Sequence, residues 1–150
     1  MNKTSNGYNP MRWDCKLQGC FNIVKRPKIE LFAECFPGRI NFGDCDAIVE
    51  INGRVLIQEW KQYPISLSTG QSLMFERISV GKHISVQCIA GDASNMTISH
   101  RAWYIDGVWY PWESCTIDDV KAEIRDWVKF AQSNTSTWDL LRDRLDLLDV

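Results

Sequence analysis

No stretch of this chain approaches the ~20 consecutive apolar residues that a membrane-spanning helix needs, so no membrane association is expected. The opening residues, MNKTSNGYNPMRW, lack a hydrophobic signal region, which makes the cytoplasm the expected compartment. There is no glycine-rich phosphate loop and no internal repeat. Histidine is scarce. His83 and His100 are the only two, and neither has a serine, cysteine or aspartate at triad spacing, so both are read as structural or surface residues. Strong positive charge is missing as well. Lys and Arg number 17 against 19 Asp and Glu, for a net charge of -2, which is not the balance of a simple polyanion binder.

What is present suits an ordinary globular protein. The 150 residues are 45% hydrophobic and 24% charged, enough to bury a real core, and are expected to form a single domain over 1–150. Charge is unevenly spread. Residues 1–43 hold seven Lys/Arg and three Asp/Glu (+4), residues 44–112 five against seven (-2), and residues 113–150 five against nine (-4). The basic excess lies in Arg12, Lys16, Lys25, Arg26, Lys28 and Arg39, either a phosphate-contacting patch or a solvated surface. Six cysteines stand at 15, 20, 35, 45, 88 and 115. A cytosolic address argues for reduced thiols. Cys15-x4-Cys20 could form half of a zinc site, completed by Cys35 or a histidine, but no second close pair follows, and buried free thiols are the plainer reading.

The most informative stretch is Gly43 to Lys61, GDCDAIVEINGRVLIQEWK. Two apolar runs flank Asn52-Gly53, the strongest short-range hairpin signal, because a type I′ turn needs positive φ at both central residues. A two-residue loop fixes the register: Ile51 opposite Arg54, Glu50 opposite Val55, Ile48 opposite Ile57, Asp46 opposite Glu59 and Asp44 opposite Lys61. Directly opposed residues lie roughly 5 Å apart at Cβ and share a face. One face therefore gathers Asp44, Asp46, Glu59 and Lys61 at the open end of the hairpin. The other carries Ala47, Val49, Leu56 and Trp60, with Gln58 as a polar exception. Opposed carboxylates are unfavourable by about 0.2–1 kcal/mol on a sheet surface. A divalent cation removes that penalty, and hard carboxylate oxygens suit Mg²⁺ or Mn²⁺. Lys61 points to the same side, where it can orient a water or stabilise charge on a phosphate.

Around this hairpin the elements read as follows. Pro27 can open a helix over Lys28 to Phe36, with Ile29, Phe32, Cys35 and Phe36 on one side, Glu30 and Glu34 on the other, and Pro37-Gly38 at its end. Arg39 to Phe42 is a candidate short strand. Ser66 to Val80 is a helix capped by Ser68, with Leu73, Met74, Phe75 and Ile78 as its apolar stripe and Gly81 as its stop. Gln71, three residues after Ser68, completes a capping-box pattern. His83 to Ala90 alternates as a strand beside the Glu59 strand. Ile98 to Trp112 is a second hairpin turning at Asp106-Gly107. Its aromatics, Trp103, Tyr104, Trp109, Tyr110 and Trp112, either cover a core or stack on unpaired bases. A helix capped by Thr116 or Asp118 runs to about Gln132, and Trp138 to Leu148 is a final amphipathic helix that packs on the domain or on a second copy.

The hairpin with Asp46 and Glu59-Trp60-Lys61 resembles the PD-(D/E)xK nuclease superfamily, most closely its Holliday-junction resolvase and phage-nuclease branch. The likeness covers about residues 29–90 and departs at Cys45, where the family places a proline that supplies no ligand. It implies an α/β fold with a restriction-endonuclease-like core, αβββαβ on a mixed sheet, over about 27–92. An added β-hairpin and two C-terminal helices would follow over 96–150. The implied activity is that of a Mg²⁺-dependent DNA endonuclease hydrolysing phosphodiester bonds on branched or structured DNA. Asp46, Glu59 and the backbone carbonyl of Trp60 would hold Mg²⁺ or Mn²⁺, joined by Glu30 or Glu34. Lys61 would position or activate water, and Gln71 would be an accessory polar group. Lys25, Arg26, Lys28 and Arg39 would contact DNA. Resolvase-like nucleases work as symmetric pairs, so a homodimer is implied, and a phage-encoded chain would act in the host cell cytoplasm. The alternative is the same fold kept as a catalytically silent module that binds DNA or protein.

Overall fold

The computed structural model describes residues 29–40, 42, 43 and 45–133. Lys25, Arg26, Lys28, Asp44, the Cys15/Cys20 pair and the helix expected over 138–148 lie outside the described residues. The chain divides into two compact units, residues 1–44 and 45–150.

In the first unit, Ile29–Cys35 forms a 3-10 helix and not the expected α-helix. Seven residues ahead of Pro37-Gly38 are too few for an α-helix to hold by propensity, and the tighter 3-10 turn is the usual outcome for so short a piece. Gly38 takes φ 62° to make the stop. Edge-on contacts of Phe42 with Phe32 (6.0 Å) and Phe36 (5.1 Å) hold this segment. Arg39, Ile40 and Phe42 belong to no strand, so the expected third strand of an αβββαβ order is not found among the described residues. Gly38 and Gly43 leave only four residues between them, and Ile40 and Phe42 stay exposed, which removes the burial that would favour a strand.

The second unit is an α/β arrangement built on a five-stranded mixed sheet in the order β1-β2-β3-β4-β5. Its strands are β1 (Ala47–Ile51), β2 (Arg54–Lys61), β3 (Ile84–Asp92), β4 (Thr97–Ile105) and β5 (Val108–Ser114), and its helices are α1 (Thr69–Ser79) and α2 (Ile117–Ser133). Asn52 (φ 54°) and Gly53 (φ 80°) make the primed turn. The β1–β2 register is the expected one, from Ile51 opposite Arg54 out to Ala47 opposite Gln58. Asp106 (φ 51°) and Gly107 (φ 75°) repeat the device between β4 and β5. Between these two hairpins, β2 and β3 run parallel, joined by α1 as a crossover.

Side chains alternate across the sheet, so each face has its own core. On one face Val86, Cys88, Ala102 and Tyr104 pack with Phe75 of α1. On the other, Leu56 packs with Trp127 and Ala131 of α2. The inward stripe of α1 is Phe75, Ile78 and Ser79. Leu73 and Met74, expected there, are 42% and 45% exposed. Ser79 takes its inward place because its hydroxyl accepts the Gly107 N–H at 3.0 Å, tying the helix to the β4–β5 turn. Most of the hairpin aromatics cover the core. Tyr104, Trp109 and Trp112 form a chain of ring contacts at 4.7 and 6.1 Å. On the α2 face a partly buried polar row runs through the sheet, with Gln87 fully buried at its centre. Gln58 donates to Gln87 (2.8 Å), Gln87 reaches Glu123 (3.5 Å), and Glu123 accepts from Arg101 (2.5 Å) and from the indole N–H of Trp103 (2.9 Å).

Candidate functional site

The open end of the β1–β2 hairpin brings together Asp46, Glu59, Trp60, Lys61 and Gln71. Glu59 and Lys61 are two apart on β2 and project onto the α1 face. Glu59 is 8% exposed. Its Oε1 accepts from the Lys61 ammonium at 2.8 Å and from Gln71 Nε2 at 2.8 Å. Lys61 Nζ also donates to Gln71 Oε1 at 3.0 Å, which closes a triangle of three hydrogen bonds. Both bonds to Glu59 fall on one oxygen, so Oε2 is outside the triangle.

The two roles open to Gln71 separate along its own atoms. Its backbone N–H donates to the Ser68 hydroxyl at 3.2 Å, the N-cap bond of α1. Its side chain does not turn back to complete a capping box. Gln71 stands one helical turn before Phe75, on the face that α1 presents to the sheet, so its amide meets the Glu59–Lys61 pair.

Asp46 lies one residue beyond the last β1–β2 pair and takes a different partner. Its Oδ2 accepts the backbone N–H of Trp60 at 2.7 Å. The carboxylate thus continues the strand ladder where β1 has ended. In an extended strand the N–H and C=O of one residue point to the same side, so the Trp60 carbonyl leaves toward the edge that Asp46 occupies. Carboxylate and carbonyl oxygens are hard donors, and Mg²⁺ is commonly held through one or two carboxylates with water and substrate completing the shell. No group of three or more His, Cys, Asp or Glu placed to hold a metal occurs among the described residues.

Cys88 forms the floor. It pairs with Glu59 across the parallel β2–β3 register and is fully buried. Burial, reinforced by the nearby Glu59 charge and opposed by Lys61, pushes its thiol up to about 12. It is therefore an inert neutral group and not a nucleophile. Sequence reasoning passed over Cys88 because its place opposite Glu59 depends on a parallel pairing that no local signal encodes. Gln58, the polar exception on its face of β2, was a legible hint of the polar row behind the site, which it joins through Gln87.

Glu34 and Arg39 are exposed residues of the first unit, and the side chain of Glu30 is outside the described set. The free thiols of Cys35 and Cys45 are exposed. No helix among the described residues is long and apolar enough to cross a membrane. No family model, curated protein or solved structure matches this chain.

Proposed function

We propose that this chain is a metal-dependent DNA endonuclease with a restriction-endonuclease-like core. The observation that carries the reading is the Glu59–Lys61–Gln71 triangle beside Asp46, at the end of a hairpin that feeds a parallel crossover. A structural ion pair has no need of a glutamine delivered from the first turn of a helix, whereas a carboxylate that must present one oxygen outward benefits from having the other held.

On this reading Asp46, Glu59 and the Trp60 carbonyl would hold Mg²⁺ or Mn²⁺. When bound, the metal lowers the pKa of its water and offsets charge on the phosphate oxygens. Lys61 keeps its ammonium on Glu59 and Gln71 through two of its three donors, and the third remains for a phosphate oxygen or the attacking water. Gln71 restrains both side chains, so their geometry is set before substrate arrives. The DNA partner and a preference for branched or structured DNA follow from the resemblance, as does a symmetric dimer.

The test is cleavage of labelled linear duplex, single strand, flap and four-way junction with Mg²⁺, Mn²⁺ or EDTA. Wild type would be compared with Glu59→Ala and Lys61→Ala, each checked for folding by circular dichroism. Cutting that needs metal and falls by about 10²-fold or more in both folded variants supports the reading. No cutting of any substrate, or cutting indifferent to both variants, overturns it and favours the silent binding module.

A further inference from the structure

Past Lys61 and Ala90 the parallel strands β2 and β3 separate, and a cavity of about 650 Å³ opens between their ends. The carboxyl ends of neighbouring parallel strands are the usual place for a ligand crevice in α/β sheets. Lys61 lines this cavity and also belongs to the triangle above. We propose that it receives an unpaired nucleotide of a DNA strand, with the base stacked on Tyr63 and the phosphate turned toward Lys61. This deepens the nuclease reading and rests on it, because it names the substrate as DNA with unpaired nucleotides rather than continuous duplex.

Four observations carry the inference. First, the volume is that of a pocket for one small molecule, ~300–1,000 Å³, enough for one or two nucleotides and not for a duplex. Second, an aromatic is presented to it. Tyr63 lines the cavity and is 61% exposed, so its ring is open to a ligand. Its backbone is held. Pro64 restricts the preceding residue to extended conformations, and the Ile65 N–H donates to the Tyr63 carbonyl at 2.8 Å in a three-residue turn. Third, the charge is polar along the cleft. Lys61 is its cation and Asp92 its anion, and Asp92 is kept ionised by the Ser94 backbone N–H (2.9 Å) and hydroxyl (2.5 Å). A phosphate is drawn to the Lys61 end and repelled from the Asp92 end. Fourth, the remaining polar side chains are neutral: the Gln62 amide and the hydroxyls of Ser94, Thr97 and Ser99. Such groups bond to base edges and sugars, while a duplex-gripping surface would be rich in Lys and Arg. Unpaired strands are held by aromatic stacking together with cations that meet the backbone, and Tyr63 and Lys61 supply one of each here.

The experiment measures binding apart from cutting. Fluorescence anisotropy in EDTA would follow the full chain with a labelled twelve-residue oligothymidine, with a blunt hairpin duplex, and with the same oligothymidine in RNA form. Cleavage of the two DNA probes would be read in parallel with Mg²⁺. The variants are Tyr63→Ala and Tyr63→Phe, at an exposed side chain outside the core, with melting curves as the folding control. The expected result is oligothymidine binding weakened about 5- to 150-fold by Tyr63→Ala, the range of one base–aromatic stack, and retained by Tyr63→Phe. Oligothymidine bound this way without cutting leaves the inference standing and removes the nuclease reading. Cutting of the duplex with no preference for the single strand and no effect of Tyr63→Ala leaves the nuclease reading and overturns the inference. Tighter binding of the RNA form overturns DNA as the occupant.

Discussion

Replacing Lys61 with methionine isolates the interaction at the centre of the site. Methionine keeps the length of the side chain and removes the charge. Glu59 then stays behind as a carboxylate whose side chain is 10% exposed, having lost an ammonium 2.8 Å away. Stranding one member of a buried pair costs ~3–5 kcal/mol. Here Lys61 is itself 22% exposed, and Gln71 Nε2 still donates to the same oxygen, so solvent and the amide reduce the penalty to about 2 kcal/mol. Glu59→Gln keeps the shape and leaves a lysine near water, for about 1 kcal/mol. With both changes neither charge is stranded, and the double variant should lose only about 1 kcal/mol, a coupling of about 2 kcal/mol. Urea unfolding at neutral pH, followed by far-ultraviolet circular dichroism, gives the four stabilities. If the two single effects add to within about 0.5 kcal/mol of the double, Lys61 and Glu59 are not an energetically coupled pair, and the triangle does not hold Glu59 in place.

Further outcomes follow from the backbone and the thiols. A Cβ on Gly91 would lie 2.1 Å from the Thr97 carbonyl oxygen and 2.9 Å from Ile98 Cα, with φ at 154°. Both obstacles are backbone in the bulged β3–β4 pair, so Gly91→Ala should lower stability by about 3 kcal/mol or more in urea unfolding. Gly70→Ala, facing open space in the first turn of α1, should lose nothing. For Cys88, a thiol raised from 9.0 to about 12 is neutral in the fold while the unfolded chain ionises first. Its contribution is fully present below about pH 9 and is lost as pH rises toward 12, at up to about 1.4 kcal/mol per pH unit. The stability difference between wild type and Cys88→Ala should therefore narrow above pH 9. A difference that stays constant across that window would show that the thiol is not held neutral. Alkylation at pH 8, read by peptide mass spectrometry, should label exposed Cys35 and Cys45 and leave Cys88 unmodified until the protein is denatured.

Much of the site's framework is local, and local features are what a sequence carries. Asn52-Gly53 sets two positive-φ residues, and the register of every β1–β2 pair follows by counting, which is why Asp46, Glu59 and Lys61 could be placed at one hairpin end before any coordinates. The same holds for Asp106-Gly107 and for the Ser68 cap of α1. Where the reading went astray, local preference was weak or had competition. The segment Ile29–Cys35 is too short for its α-helical spacing to prevail. Leu73 and Met74 look like core residues by hydropathy, but the angle at which α1 meets the sheet gives the inward places to Phe75 and Ser79.

The sequence by itself determined the two primed hairpins, the strand that ends Glu59-Trp60-Lys61, and the helix start that delivers Gln71, because each depends on φ/ψ preferences and capping within a few residues. Tertiary structure alone decided which way the Gln71 amide turns, that Cys88 lies under Glu59, that Asp46 caps the Trp60 N–H, and that a cleft opens between the ends of β2 and β3. Those outcomes depend on the parallel pairing of strands separated by a crossover helix. That pairing is set by the summed burial of two cores on opposite faces of one sheet, and no short stretch of chain contains it.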